Sequence, residues 1–182
     1  MKNKLLYFAI VGVVLLFSAC SPDTTENYET DVNLKATRLN AGSGATQISG
    51  VGYFAALETC DYLAAGADFA LQMTGDLEGC LFTYVEDYEC SPSGTYRESG
   101  REYFVGTYKG EYGTFWTTYK FEAKYEGCSE DGFFLGAEIF GRCQHPIVKE
   151  SGTGTFQGAT GRIDFKDDVV TGALPYKGHL RY

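Results

Sequence analysis

From Ile48 to Tyr182, apolar and polar residues alternate with a period of two in run after run, while a 3.6-residue period is almost absent. The clearest run is Thr114–Glu126. Phe115, Thr117, Tyr119, Phe121, Ala123 and Tyr125 fall on one face, and Trp116, Thr118, Lys120, Glu122, Lys124 and Glu126 on the other. Such a strand has one face toward a core and one toward water, with Trp116 the misfit on the polar side. The same pattern predicts strands at Ile48–Ala56, Asp68–Met73, Gly79–Glu89, Thr95–Tyr108, Phe133–Val148, Arg162–Lys166 and Gly172–Tyr182. Ser91-Pro92-Ser93-Gly94 has the composition of a type I turn, and Ser99-Gly100 is the expected site of a β-bulge. Cys60–Ala67 is the one helix candidate, two turns at most.

Successive strands joined by short turns predict an all-β domain over residues 48–182: a small antiparallel up-and-down barrel of about eight strands, favoured over a sandwich because closure removes exposed edges. A barrel of that size is filled by side chains or holds one small ligand. The aromatic residues Tyr84, Phe104, Tyr119, Phe121 and Tyr176 are the expected ligand-lining set.

The segment Gly152-Thr153-Gly154-Thr155-Phe156-Gln157-Gly158-Ala159-Thr160-Gly161, followed by a strand, resembles the allene oxide cyclase barrel-like group, which includes the plant dirigent proteins. The resemblance is sharpest over residues 150–182. It implies an eight-stranded barrel with an apolar cavity and assigns no chemistry, since no catalytic motif of the plant cyclases can be matched residue by residue. The segment is not a phosphate loop, because no Lys-Ser or Lys-Thr follows Gly161.

Composition narrows the class. Twenty-three Gly in 182 residues argue against a helical bundle, and 14 Tyr and 13 Phe argue against disorder. The net charge of −9, without adjacent basic residues, disfavours nucleic-acid binding. Lys2 and Lys4 precede an uncharged stretch, Leu5–Phe17, that is too short to span a bilayer. Phe17-Ser18-Ala19-Cys20 then resembles the lipobox of bacterial lipoproteins, with Phe where Leu is more usual. The resemblance implies a signal peptide at 1–19, acylation of Cys20 and a lipid membrane as partner, hence a cell-envelope location, periplasmic or surface-exposed. Residues 20–47 read as a polar, Gly-containing flexible tether of roughly 25–30 Å mean reach, with a short strand over Val32–Thr37 as the other reading.

Cys60, Cys80, Cys90, Cys128 and Cys143 remain, an odd number in an oxidising compartment, so two disulfides and one thiol are expected. Strand positions suggest Cys80 with Cys143 and Cys90 with Cys128, leaving Cys60. No metal is expected, for want of a Cys-x₂-Cys spacing and with only two His, and no cofactor is implied. His179 has the polar parity of the last strand. His145 shares parity with Ala137, Ile139 and Cys143 and is expected inward near a barrel mouth, whereas Glu138 joins that face only if Gly141 marks a bulge. Glu86 and Glu102 share parity with apolar neighbours, so one of them is an inward candidate. Glu102, Glu138 and His145 are therefore the candidate acid–base residues.

The leading expectation is a non-enzymatic, membrane-anchored barrel that binds a small apolar ligand or serves as an interaction module. A cyclase-like isomerase acting on an apolar substrate is the first alternative, and a structural envelope protein the second.

Overall fold

The computed structural model describes residues 44–56, 58–61 and 65–182. The expected signal peptide, Cys20, most of the tether and the alternative strand at 32–37 lie outside the described residues, as do 62–64 of the helix candidate. At the described ends of that candidate, the Ala65 N–H donates to the Asp61 carbonyl at 3.4 Å.

Nine strands follow in order: β1 (Thr46–Phe54), β2 (Phe69–Gly75), β3 (Leu77–Cys90), β4 (Thr95–Tyr108), β5 (Glu111–Cys128), β6 (Phe134–Pro146), β7 (Thr153–Gly154), β8 (Thr160–Lys166) and β9 (Leu174–Arg181). β1 begins inside the segment expected to be tether. Every pairing is antiparallel. The sheet runs β4-β3-β2-β1-β9-β8-β6-β5, and β4 pairs with β5 to close an eight-stranded barrel; the two-residue β7 pairs with β5.

One end of the barrel is solid. Phe104 and Phe115 stack at 4.9 Å, and Phe156 packs edge-on against both. All three are fully buried, as are Leu77, Leu81 and Leu180. Phe156 comes from the glycine-rich segment, which folds across this end as a floor. Gly152 is required there, because a Cβ would collide with the Phe156 carbonyl oxygen.

Two irregularities in register decide which side chains face inward. In the β3–β4 ladder, Val85 faces Gly100 while Asp87 faces Ser99, so Glu86 is the extra residue. The bulge lies in β3, opposite the Ser99-Gly100 pair at which the sequence suggests it. Before the bulge the odd-numbered Leu81 and Thr83 point inward, which puts Tyr84 on the outer wall. Glu86 points outward and pairs with Arg101 at 3.2 Å. In the β5–β6 ladder, Lys124 faces Phe140 but Tyr125 faces Glu138, and a second shift follows before Gly127. The parity of β6 therefore changes at Ile139, two residues before Gly141.

The disulfides correct one expectation. Cys60 bonds Cys80, Cys90 bonds Cys128, and Cys143 is a buried free thiol. Cys80 cannot meet Cys143. It stands on the outer parity of β3, where the segment after β1 brings Cys60 to it, whereas Cys143 points into the barrel from β6, with β4 and β5 between. Trp116, the misfit on the polar face of β5, packs outside against Tyr84 at 5.6 Å and Tyr103 at 4.8 Å, with the Arg101 guanidinium over its ring.

Candidate functional site

The other half of the barrel is open. A cavity of about 740 Å³ enters between the end of β1 and the β5–β6 and β8–β9 connections, within the range of small-molecule sites. Phe54, Phe133 and Val169 stand at its rim, exposed. A groove of about 430 Å³ is lined by Arg97, Lys120, Glu122 and Arg142 and shares Glu98 and Phe121 with the cavity; Arg97 and Arg142 both pair with Glu122.

The cavity rests on a polar layer directly above the aromatic floor. Glu102 of β4 points inward between Thr83 of β3 and Thr117 of β5. The Thr83 hydroxyl donates to Glu102 Oε1 at 3.1 Å and the Thr117 hydroxyl to Oε2 at 3.0 Å. His145 of β6 completes the layer, its Nδ1 bonded to Glu102 Oε2. Both side chains are 3 % exposed. A carboxylate so buried needs its acceptor sites filled, and two hydroxyls and an imidazole do that. The His145 ring lies between Tyr119 and Phe165, 6.0 and 4.7 Å away. Its Nε2 is buried and has no hydrogen-bond partner among the described residues.

One layer higher, Glu98 accepts the hydroxyls of Tyr96 on Oε2 and Tyr119 on Oε1, both at 2.7 Å. Burial first, and then Glu98, push both phenols far above their ordinary value, so both keep their protons. Burial likewise holds the Cys143 thiol well above its usual range and makes it a poor nucleophile.

No protein-family model matches this chain, and no curated protein does. The site is therefore defined by its geometry.

At the mouth, Glu138 and Asp167 approach each other. The β6 irregularity turns Glu138 inward, and Asp167, just past β8, donates its backbone N–H to the Gly141 carbonyl at 3.0 Å. A Cβ at Gly141 would meet both Glu138 Oε1 and Asp167 Oδ2, so a larger residue there would displace the two carboxyls from this arrangement. Burial first, then the contact with Glu138 and its charge, push the Asp167 carboxyl up to about 7. Glu138 Oε1 is buried without a partner, and a proton on Asp167 supplies the missing donor. Glu138 Oε2 accepts the Tyr125 hydroxyl at 3.4 Å.

Glu102, Glu138 and His145 all line this one cavity. Glu102 and His145 bond at its base, and Glu138 stands at its mouth with a different partner. Of the aromatic set, Tyr119 and Phe121 line the cavity. Phe104 belongs to the solid floor. Tyr84 is on the outer wall, its hydroxyl donating to the Ala65 carbonyl at 3.0 Å. Tyr176 serves the frame: it accepts from the Leu77 N–H at 2.9 Å and donates to the Thr74 carbonyl at 3.2 Å. Sequence reasoning missed Glu98 and Asp167. The parity of Glu98 with Tyr96, Glu102 and Phe104 was the available signal for the first. Asp167 sits past the end of β8, where alternation says nothing.

Proposed function

We propose that this protein is a membrane-anchored lipoprotein whose barrel binds one small, largely apolar ligand. The observation that carries the reading is the cavity: about 740 Å³, open at one end, walled by aromatic rings and floored by the Glu102–His145 polar layer. Apolar walls with a few fixed polar groups are the usual makeup of a ligand site. The exposed apolar rim at Phe54, Phe133 and Val169 gives a hydrophobic molecule an entry, and the lipobox-like sequence at Cys20 supplies the anchor.

Two measurements test it. The purified barrel is titrated with Nile red, an uncharged apolar dye. Saturable one-to-one binding is expected, lost in Val85→Trp, which places an indole in the cavity; dye uptake that does not saturate overturns the binding reading. Cys20→Ser in the full chain is expected to move the protein from the membrane to the soluble fraction, and unchanged membrane retention overturns the anchoring.

The Glu102–His145 pair favours a second reading, an acid–base isomerase. Donation of Nδ1–H to the carboxylate holds the tautomer in which Nε2 carries the lone pair. That nitrogen would take a proton from a carbon beside a substrate carbonyl. The proton held on Nε2 exchanges with solvent, and a proton from the imidazole then returns to another carbon of the substrate, so the step balances without a co-reactant. Incubation with an apolar unsaturated ketone in D₂O is expected to place deuterium in the product with the wild-type protein and not with His145→Gln. No incorporation by the wild type removes this reading and leaves the binding one intact.

A further inference from the structure

The cavity is chemically one-sided. Six carboxyl residues line it (Asp68, Glu98, Glu102, Glu138, Asp167 and Asp168), with one histidine and no Lys or Arg. The arginines of the neighbouring strands all face outward: Arg97 and Arg142 pair with Glu122, and Arg101 with Glu86. Five of the six carboxyls have partners that need no ligand. Glu102 has His145 and two hydroxyls. Asp68 accepts the Val85 N–H at 2.8 Å, and Asp168 is capped by Thr171 and the Val170 N–H. Asp167 is placed to hold a proton against Glu138.

Glu98 stands apart by its surroundings, partly buried between two tyrosines and Phe121. Its two hydrogen bonds come from neutral phenols, and among the described residues no cation pairs with it. It faces Phe121 across the β4–β5 ladder and lies between the hydroxyls of Tyr96 and Tyr119. A carboxylate accepts at about four sites, and only two are used. A negative group among aromatic rings, with its own counter-ion missing, is the complement of an organic cation: the carboxylate supplies charge and the ring faces supply cation–π attraction. A second polar atom is unfilled in the same cavity. His145 Nε2, on a side chain 3 % exposed, has no partner and, with Nδ1–H on Glu102, accepts a hydrogen bond from an N–H donor.

We infer that the ligand of this cavity is a hydrophobic amine in its protonated form, its ammonium held at Glu98 among Tyr96, Tyr119 and Phe121. The inference rests on the binding reading and adds the charge of the ligand to it. Apolar acids such as fatty acids are the wrong sign, since their head groups would enter a carboxyl-lined space without an Arg or Lys to receive them.

The test is isothermal titration of the wild-type protein at neutral pH with three molecules of one skeleton: 2-(2-naphthyl)ethylamine, 2-(2-naphthyl)ethanol and 2-naphthylacetate. The amine is expected to bind about tenfold tighter than the alcohol, and the carboxylate more weakly than either. Glu98→Gln keeps two acceptor–donor contacts for the tyrosines and removes the charge, so the amine-over-alcohol ratio is expected to fall to about threefold or less. The order of the three ligands on the wild type is read independently of whether that variant folds. Equal binding of amine and alcohol, or tightest binding of the carboxylate, overturns the cation inference and leaves a neutral or anionic ligand for the same cavity. Absence of binding by all three, together with non-saturable Nile red uptake, overturns the binding reading itself.

Discussion

The two halves of the barrel are made of the same strands and differ in what those strands point inward. At the closed end the inward positions are Leu77, Phe104, Phe115, Phe156 and Leu180, all fully buried, and no charged side chain is among them. At the open end the same strands present Glu98, Glu102, Tyr119, Glu138 and His145 around empty space. Glu102 and Phe104 are two residues apart on β4, so one pleat separates a packed core from a polar cavity. A barrel can leave one half hollow because the other half closes the sheet and holds the strands in register. The closed end carries stability, and the open end is free to carry carboxylates that a solid core would exclude.

The sharpest way to break this contrast is Phe156→Ala, which removes the floor from both stacked rings. A loss of about 3–5 kcal/mol is expected in chemical denaturation, against under about 1 kcal/mol for Phe133→Ala at the exposed rim. Equal losses would mean the two ends share the load. Next in size is the boundary layer. Glu102→Leu leaves His145 buried opposite an apolar side chain and is expected to cost about 3 kcal/mol, most of it recovered in the Glu102→Leu/His145→Leu double variant. A double variant as unstable as the single would show that the pair supports the barrel beyond its own polar satisfaction.

The mouth gives a pH signature with a definite sign. Asp167 keeps its proton to about 7 in the folded protein, while an unfolded aspartate releases it near about 3.9. Between those values the native state binds more protons, so this contribution to stability is full below the unfolded value and is lost as pH rises through 7. Asp167→Asn is expected to flatten that decline and to be more stable than the wild type at pH 8; a parallel pair of stability–pH curves would deny the carboxyl contact with Glu138. The smallest effect belongs to the outer wall. Arg142→Ala breaks an exposed pair with Glu122 and is expected to change stability by about 0.5 kcal/mol or less, by the same denaturation measurement.

Much of this architecture was legible from alternation alone. The β5 pattern is reproduced in the barrel, including Trp116 on the outside, because a two-residue period leaves a strand with one buried face no other choice. The glycine-rich segment stood out by its resemblance to the barrel-like group, and its place as the floor follows from Phe156 at its centre. Where alternation failed, it failed at single inserted residues. Glu86 in β3 and Ile139 in β6 each shift the parity of everything beyond them, and neither carries a compositional mark. Tyr84 stands outside, and the shift that turns Glu138 inward falls at Ile139 rather than at Gly141.

By itself the sequence determined the strand order, the barrel class, the acidic character and the presence of two disulfides with one thiol over, because each follows from local pattern or from counting. The tertiary structure decided the rest: that Cys80 meets Cys60, that Glu102 finds His145 forty-three residues away, and that Glu98 has no cation paired with it among the described residues. These are relations across strands, set by register and closure, and a two-residue period records only the face on which a side chain stands.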